Sequence, residues 1–319
     1  MMITIVYPVL NQYKLFASVL NRTISNLNLA HEVELLIIDN DSDEGGQKLQ
    51  DALNNIGIDW SVIKRCKELK IISNNVNVGN YPIFKQAFQF AQGKIIAFFH
   101  SDFYVHEKGW DERVLNVFSQ DDMMGLIGFI GSNEIDNFGG RGMGTKSNFV
   151  GMSIDGFNGS PAEVHGARIT DLKPAAVVDG CSMIFKRKCL FDIGFIEDFP
   201  PHHFYDRLMC CQAIEKGYKV GVLGIQSDHI SGQTANKENK YHNIAKKWIQ
   251  EKLGIDSPED YIKLFPDWYL NTMNPSRGNI PKCSDQVIYQ EAERRFLQEW
   301  RDNKKFIPIM LNDNYGRMF

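Results

Sequence analysis

The chain has 319 residues, 43% of them hydrophobic, with 35 Lys+Arg against 39 Asp+Glu for a formal net charge of −4. That length builds one large α/β domain with an appendage, or two domains, and the mild acidity argues against a strong non-specific grip on nucleic acid. No apolar run approaches the ~20 residues of a membrane helix, Met1 to Leu10 lacks the basic start and the length of a signal peptide, and Cys66, Cys181, Cys189, Cys210, Cys211 and Cys283 show no C-x-x-C spacing, so the expectation is a soluble, cytoplasmic protein with reduced thiols.

The opening stretch from Ile3 to Asn11 reads as a strand stopped by Pro8, followed by a helix with apolar positions at Leu15, Phe16, Val19, Leu20 and Ile24. Val33 to Ser42 repeats the pattern as a buried strand that ends in Asp39, Asn40, Asp41 and Ser42. Gly45-Gly46 opens a second helical segment through Leu53, Leu69 to Ile72 is a third short strand, and Asn74 to Asn80 is a polar loop holding Asn77 and Gly79. A helix from about Pro82 to Ala91 leads into Ile95-Ile96-Ala97-Phe98-Phe99, an apolar run of the kind buried on both faces of a parallel sheet. Strands alternating with helices at this spacing predict a right-handed, mostly parallel βαβ sheet.

His100, Ser101 and Asp102 end the last of these strands. The ligand crevice of an open α/β sheet lies beyond the carboxyl ends of its strands, so a carboxylate there is placed to hold a metal ion or a metal-bound phosphate. An isolated aspartate in that position also serves as a turn or N-cap residue.

Strand, Pro8 and Asn11; the strand ending Asp39-Asn40-Asp41-Ser42; the loop Asn77-Val78-Gly79-Asn80; and the strand ending His100-Ser101-Asp102 resemble the nucleotide-binding half of the GT-A glycosyltransferases, family 2 in particular. The second half resembles that family in the same order. Val177 to Arg187, with Asp179-Gly180 inside it, is similar to the strand before the catalytic helix; Gly194 to Leu208 is similar to the family's "GGFDE…GEDxDL" segment; Ala213 to Val220 matches "A-x-x-x-G-Y-x-V"; and Ser227 to Gly232 matches its "H-x-G" segment. The resemblance spans roughly residues 1–235 and implies a Rossmann-like GT-A domain, divided into a nucleotide-binding half over 1–105 and an acceptor half over 106–235. It also implies an inverting, metal-dependent glycosyltransferase. By resemblance Asp39, helped by Asp41, contacts the nucleotide base; Pro8, Asn11, Asn77, Gly79, His100, Ser101 and Gly180 line the donor site; Asp102 and His229 hold Mn²⁺ or Mg²⁺; and Asp206 is the catalytic base. A UDP-sugar is the implied donor. Two residues depart from the family: His100 stands where the first aspartate of D-x-D is usual, and Tyr205 where a glutamate usually precedes the catalytic aspartate.

These residue types suit the chemistry. Departure of a nucleoside diphosphate leaves growing negative charge that a divalent cation neutralises, and a carboxylate at Asp206 is the type of group that accepts the proton of an incoming hydroxyl. Each also has a plainer role: Asp206 as N-cap of a helix from Arg207 to Glu215, His229 as a loop histidine, His202-His203 as surface or acceptor-side residues, Trp110 as packing. Gly131 to Pro174, rich in Gly, Asn and Ser, reads as a flexible lid, with Arg141 or Lys146 reaching the diphosphate on closure. Residues 236–319 read as a charged helical extension that packs over the acceptor side or mediates a homo-oligomer contact. A nucleotidyltransferase and a non-catalytic nucleotide- or carbohydrate-binding relative are the alternatives. The acceptor class stays open among a glycan, a lipid-linked sugar, a protein, a small molecule and a modified nucleic-acid base.

Overall fold

The computed structural model describes residues 1–28, 31–43, 45–55, 66–132, 149–155, 163–167, 169–196 and 205–229. The Gly139 to Gly144 run, Arg141, Lys146, His202-His203 and the whole extension over 236–319 lie outside the described residues.

The first half alternates as expected: β1 (Ile3–Val9), α1 (Tyr13–Ser25), β2 (Val33–Asn40), α2 (Gly45–Asn55), β3 (Cys66–Asn74), α3 (Asn80–Phe90) and β4 (Ile95–Phe99). β5 (Phe103–Val105), α4 (Trp110–Gln120), β6 (Met124–Gly128), β7 (Ile130–Ser132), β8 (Phe149–Asp155), β9 (Glu163–Ala167) and β10 (Leu172–Pro174) follow. The chain then gives β11 (Val177–Val178), β12 (Ser182–Lys186), α5 (Arg187–Ile193), α6 (Tyr205–Glu215), β13 (Lys219–Leu223) and β14 (Ser227–His229).

Among the described residues the main sheet has the order β10-β13-β6-β12-β4-β1-β2-β3. β4, β1, β2 and β3 run parallel, as do β13 and β6, while β12 is antiparallel to both β4 and β6. Period-2 alternation divides the strand residues between two cores. Val6, Leu36, Ile38, Ile96 and Phe98 pack with Tyr81, Phe84 and Ala87 of α3 and Leu208 and Met209 of α6. Ile5, Tyr7, Leu35, Ile37, Ala97 and Phe99 face the opposite layer, with Phe16 and Leu20 of α1, Leu49 of α2 and Trp110 and Phe118 of α4. Burial of both faces explains why these strands read as unbroken apolar runs. Trp110 is a packing residue: it is fully buried and its indole N–H donates to the Thr23 carbonyl at 3.2 Å.

Three expectations are corrected. Pro8 does not stop β1, which runs on to Val9; β4 pairs with β1 only as far as Val6, so beyond that point β1 has a partner on one side and the missing proline N–H costs no ladder bond. Val177 to Arg187 is not one strand. β11 belongs to a second sheet, ordered β11-β7-β8-β14-β5, and β12 belongs to the main one; the chain changes sheet through a turn at Asp179 to Cys181 in which the Ser182 amide donates to the Asp179 carbonyl. The span from 131 to 174 is not a continuous loop, since β8, β9 and β10 fall inside it.

The chain builds outward from β1 to β2 and β3, then returns to β4 on the other side of β1. This reversal puts a topological switch point between β1 and β4, where the loops at their carboxyl ends diverge and leave a crevice.

Candidate active site

On the β1–β2 side of the crevice, Asp39 is the last β2 residue paired with β1, opposite Val9, and is 2% exposed. Its Oδ1 accepts hydrogen bonds from the Ser42 hydroxyl and amide, and Ser42 Oγ in turn accepts the Asn11 amide at 2.9 Å. Asn11 and Asp43 close the two loops on each other, side chain to side chain at 3.0 Å and amide to side chain at 2.9 Å. Asn11, Gln12 and Asp41 have φ of 53°, 49° and 70°, the only positive values at non-glycine residues among those described. Left-handed backbone at three such residues beside one crevice is held by the surrounding hydrogen bonds rather than by local preference.

Asn40 Nδ2 donates to Asn77 Oδ1 at 2.8 Å, and Asn40 Oδ1 accepts from Asn74 Nδ2 and from the Val78 amide. Asn77 Oδ1 also takes the Gly79 amide, with Gly79 at φ 84° as the entry to α3. Asn77 Nδ2 is buried with no acceptor in the structure, a costly state that a bound ligand would relieve.

At the end of β4, the Phe103 amide donates to the His100 carbonyl and closes a tight turn holding His100, Ser101 and Asp102. β14 runs antiparallel to β5 in the register Ser227↔Val105, Asp228↔Tyr104, His229↔Phe103, which brings a histidine 127 positions further along the chain beside Asp102. His229 Nε2 lies 3.3 Å from Asp102 Oδ1. A ring nitrogen of His100, an oxygen of Asp102 and a ring nitrogen of His229 fall within 4.8 Å of one another. Two imidazoles and one carboxylate are a suitable donor set for a divalent ion such as Mn²⁺, so the residues present fit the cation the sequence implied. Burial pushes the His100 imidazole below its ordinary range against the opposing pull of Asp102, keeping it neutral near pH 7 with a lone pair to offer. Burial works against ionisation of Asp102, but the His229 hydrogen bond and charge outweigh it and hold the carboxyl below its usual range.

The first turn of α6 delivers Tyr205 and Asp206 to the same place. Tyr205 Oη is 2.8 Å from His100 Nε2, and its ring packs against Phe84 at 5.3 Å between centroids. Asp206, 6% exposed, accepts the Arg207 amide at 2.9 Å and faces the Arg207 guanidinium at 3.2 Å. The helix begins at Tyr205, so Asp206 lies inside its first turn. Asp206 and Asp179 are both close enough to act electrostatically on His100. A Cβ at Gly180 would stand 2.8 Å from Tyr205 Cζ and closer still to Oη, so the absence of a side chain there makes room for the phenol.

All twelve residues with an implied role are therefore among those described, in two groups. Asn11, Asp39, Asp41, Asn77 and Gly79 line the β1–β2–α3 edge, with Pro8 one residue short of it; His100, Ser101, Asp102, Gly180, Asp206 and His229 gather at the end of β4. Ser42 and Asn40, which orient Asp39 and Asn77, and Tyr205 and Asp179, which surround His100, have no role implied by the sequence. Tyr205 stands out in the sequence as a departure from the family pattern, Asp179 only by its place beside Gly180.

The family model described as "Glycosyltransferase like family" matches residues 81–254, somewhat over half of the chain. The chain belongs to this glycosyltransferase-like family. Among solved structures it is similar to the mannosyltransferase PcManGT from Pyrobaculum calidifontis in complex with GDP-Man and Mn²⁺, at 13% identity over 95% of this chain and 72% of that one, TM-score 0.48. It is also similar to S. aureus TarS 1–349 in complex with UDP-GlcNAc, at 14% identity over 98% of this chain and 95% of that one, TM-score 0.48. GalNAc-T7 with UDP, GalNAc and Mn²⁺ matches at 14% identity and TM-score 0.51 over 97% of this chain; the present chain spans 58% of that structure's length. No curated protein matches the sequence. The fold of this family member is GT-A, and the protein is a glycosyltransferase. No helix among the described residues is long and apolar enough to cross a membrane.

Proposed function

We propose that this glycosyltransferase is cation-dependent and inverting, that its donor is a UDP-sugar, and that Asp206 is its general base. The observation that carries the proposal is the convergence of His100, Asp102 and His229 with Asp206 at the carboxyl end of β4, beside the switch-point crevice. Asp102 and His229 would hold the divalent cation, with His100 beside them; once bound, the cation supplies positive charge to the departing diphosphate. Asp39, fixed through Ser42 and Asn11, is offered to the edge of the base, and the acceptor-less Asn77 Nδ2 is a donor for the nucleoside. Asp206 takes the proton of the acceptor hydroxyl as that oxygen attacks the anomeric carbon from the face opposite the diphosphate, and one such attack inverts the configuration. Residues 1–235 are proposed as the transferase domain and 236–319 as an extension that selects the acceptor or a second copy of the chain. Cys181, Cys189 and Cys210 are buried and form no disulfide, which supports a cytoplasmic location.

Asp206→Asn tests the assignment. The variant is expected to bind UDP-sugar with unchanged affinity in titration calorimetry while transfer falls by about 10²–10⁴, the usual yield of general-base catalysis. Transfer at the parent rate would overturn the role of Asp206, and a product of retained anomeric configuration would overturn the single-attack mechanism.

A further inference from the structure

Both departures from the family pattern, His100 and Tyr205, meet in one contact, since Tyr205 Oη lies 2.8 Å from His100 Nε2. We infer that they act as a unit: Tyr205 is a positioning residue that commits His100 Nε2 to the phenol and leaves Nδ1 for a cation beside Asp102 and His229, and the resulting two-imidazole, one-carboxylate set selects a transition-metal ion over Mg²⁺. The inference rests on the cation-site reading above and adds to it a third ligand, the residue that orients that ligand, and the class of metal.

A neutral imidazole has one N–H and one lone pair, and a metal-ligating histidine almost always gives its N–H to a fixed hydrogen-bond partner. Tyr205 is well placed to be that partner. It is 5% exposed, its ring lies against Phe84, and the absence of a side chain at Gly180 makes room for the phenol. The His100 amide is tied to the Cys181 carbonyl at 3.0 Å, so the ring is anchored at both its backbone and its far nitrogen. His229 approaches from the opposite strand, its ring centroid 5.6 Å from that of His100. Magnesium prefers oxygen ligands and holds its waters, whereas imidazole nitrogen favours Mn²⁺, Co²⁺ or Zn²⁺, increasingly along that series up to the late metals. Replacing a carboxylate by His100 therefore shifts the preference of the site as a whole.

The test uses the full chain, stripped of metal with chelator. Binding of Mg²⁺, Mn²⁺ and Co²⁺ is measured by calorimetry, and the visible absorption of the Co²⁺ form reads the ligand set. ¹⁵N-histidine NMR of the metal-free protein reads the tautomer, with the His100 signals assigned by their loss in His100→Ala. The expected results are the Nε2–H tautomer at His100 and Co²⁺ binding at least tenfold tighter than Mg²⁺. In Tyr205→Phe the tautomer becomes mixed and Co²⁺ affinity falls about 10- to 100-fold, the usual cost of losing a ligand's hydrogen-bond partner. In His100→Asp the Co²⁺ spectrum changes and the preference over Mg²⁺ narrows. Unchanged tautomer and Co²⁺ affinity in Tyr205→Phe, or an Nδ1–H tautomer in the parent, would overturn the Tyr205–His100 unit while Asp102-dependent Mn²⁺ binding still upheld the cation site. Failure of every cation to bind the parent would overturn both.

Discussion

Gly180→Ala joins the packing of the fold to the geometry of the site. A methyl group at this position would lie 2.8 Å from Tyr205 Cζ and 3.0 Å from Cε2, with Oη nearer still. The Tyr205 ring cannot swing clear, because Phe84 lies 5.3 Å away and the residue is buried in the core shared by α3 and α6. Overpacking a well-filled interior by one methyl costs about 1–3 kcal/mol. With roughly 2 cal/mol/K of unfolding entropy per residue, a cooperative unit of about 200 residues should then lose about 2–7 °C in Tm. The same displacement lifts Oη from His100 Nε2, so His100 signals in ¹⁵N NMR should change with no substitution at a polar residue. Tyr205→Phe in the Gly180→Ala background removes the nearest atom in conflict. The double variant is therefore expected to be less destabilised than the sum of the single effects, with a coupling of at least ~0.5 kcal/mol, as residues in contact show. Strict additivity in a thermal or denaturant melt, or a Gly180→Ala Tm within 1 °C of the parent, would refute the packing explanation for this glycine.

Three other consequences follow from the geometry. Burial alone would raise the Glu34 carboxyl, but the Gln92 amide, the Thr4 hydroxyl and Lys70 together hold it below the ordinary glutamate value. A depressed folded-state value gives stability that is complete above the unfolded-state value and lost as pH falls through the folded one, so Glu34→Gln should flatten the loss of stability below about pH 4.5 in denaturant titrations at several pH values; an unaltered slope would count against it. Trp110→Ala, which empties a site bounded by Phe99 and Phe129, should cost about 3–5 kcal/mol of unfolding free energy, and a loss under 1 kcal/mol would contradict its place in the core. Asp41 sits at φ 70°, so if its backbone is what matters, Asp41→Gly will bind UDP-sugar like the parent while Asp41→Ala loses about 1 kcal/mol of stability; weakened binding in both would instead show that its carboxylate contributes.

What the sequence disclosed about this fold follows from how local the signal is. β2 and β4 are buried on both faces and read as apolar runs because nothing polar is tolerated on either side; their terminal Asp39 and Asp102 stand out by contrast. Where a short strand changes sheet, no such contrast exists. Val177 and Val178 are as buried as Ser182 to Phe185, and only the pairing partners, Gly131 and Ser132 against Ile95 to Phe99, distinguish β11 from β12. Pro8 misled for a related reason: whether a missing N–H matters depends on whether a neighbouring strand extends that far, and β4 does not. The polar supports were hidden as well. Ser42 and Asn40 are ordinary turn residues in sequence, and their work of orienting Asp39 and Asn77 is set by contacts across loops 31 and 37 positions apart.

The two departures at His100 and Tyr205 show where residue-by-residue comparison loses information. Taken singly, each subtracts an acid from a site whose chemistry uses acids, and each alone weakens the case for catalysis. Taken together they are 105 positions apart in the chain and in hydrogen-bond contact in space, so the two departures meet in a single pair. An aspartate at 100 would have no N–H for Tyr205 to accept. The pair is self-consistent in a way that neither substitution is alone. Asp102 and His229, held by the β5–β14 register, lie outside this pair, so the frame that brings them together does not depend on it.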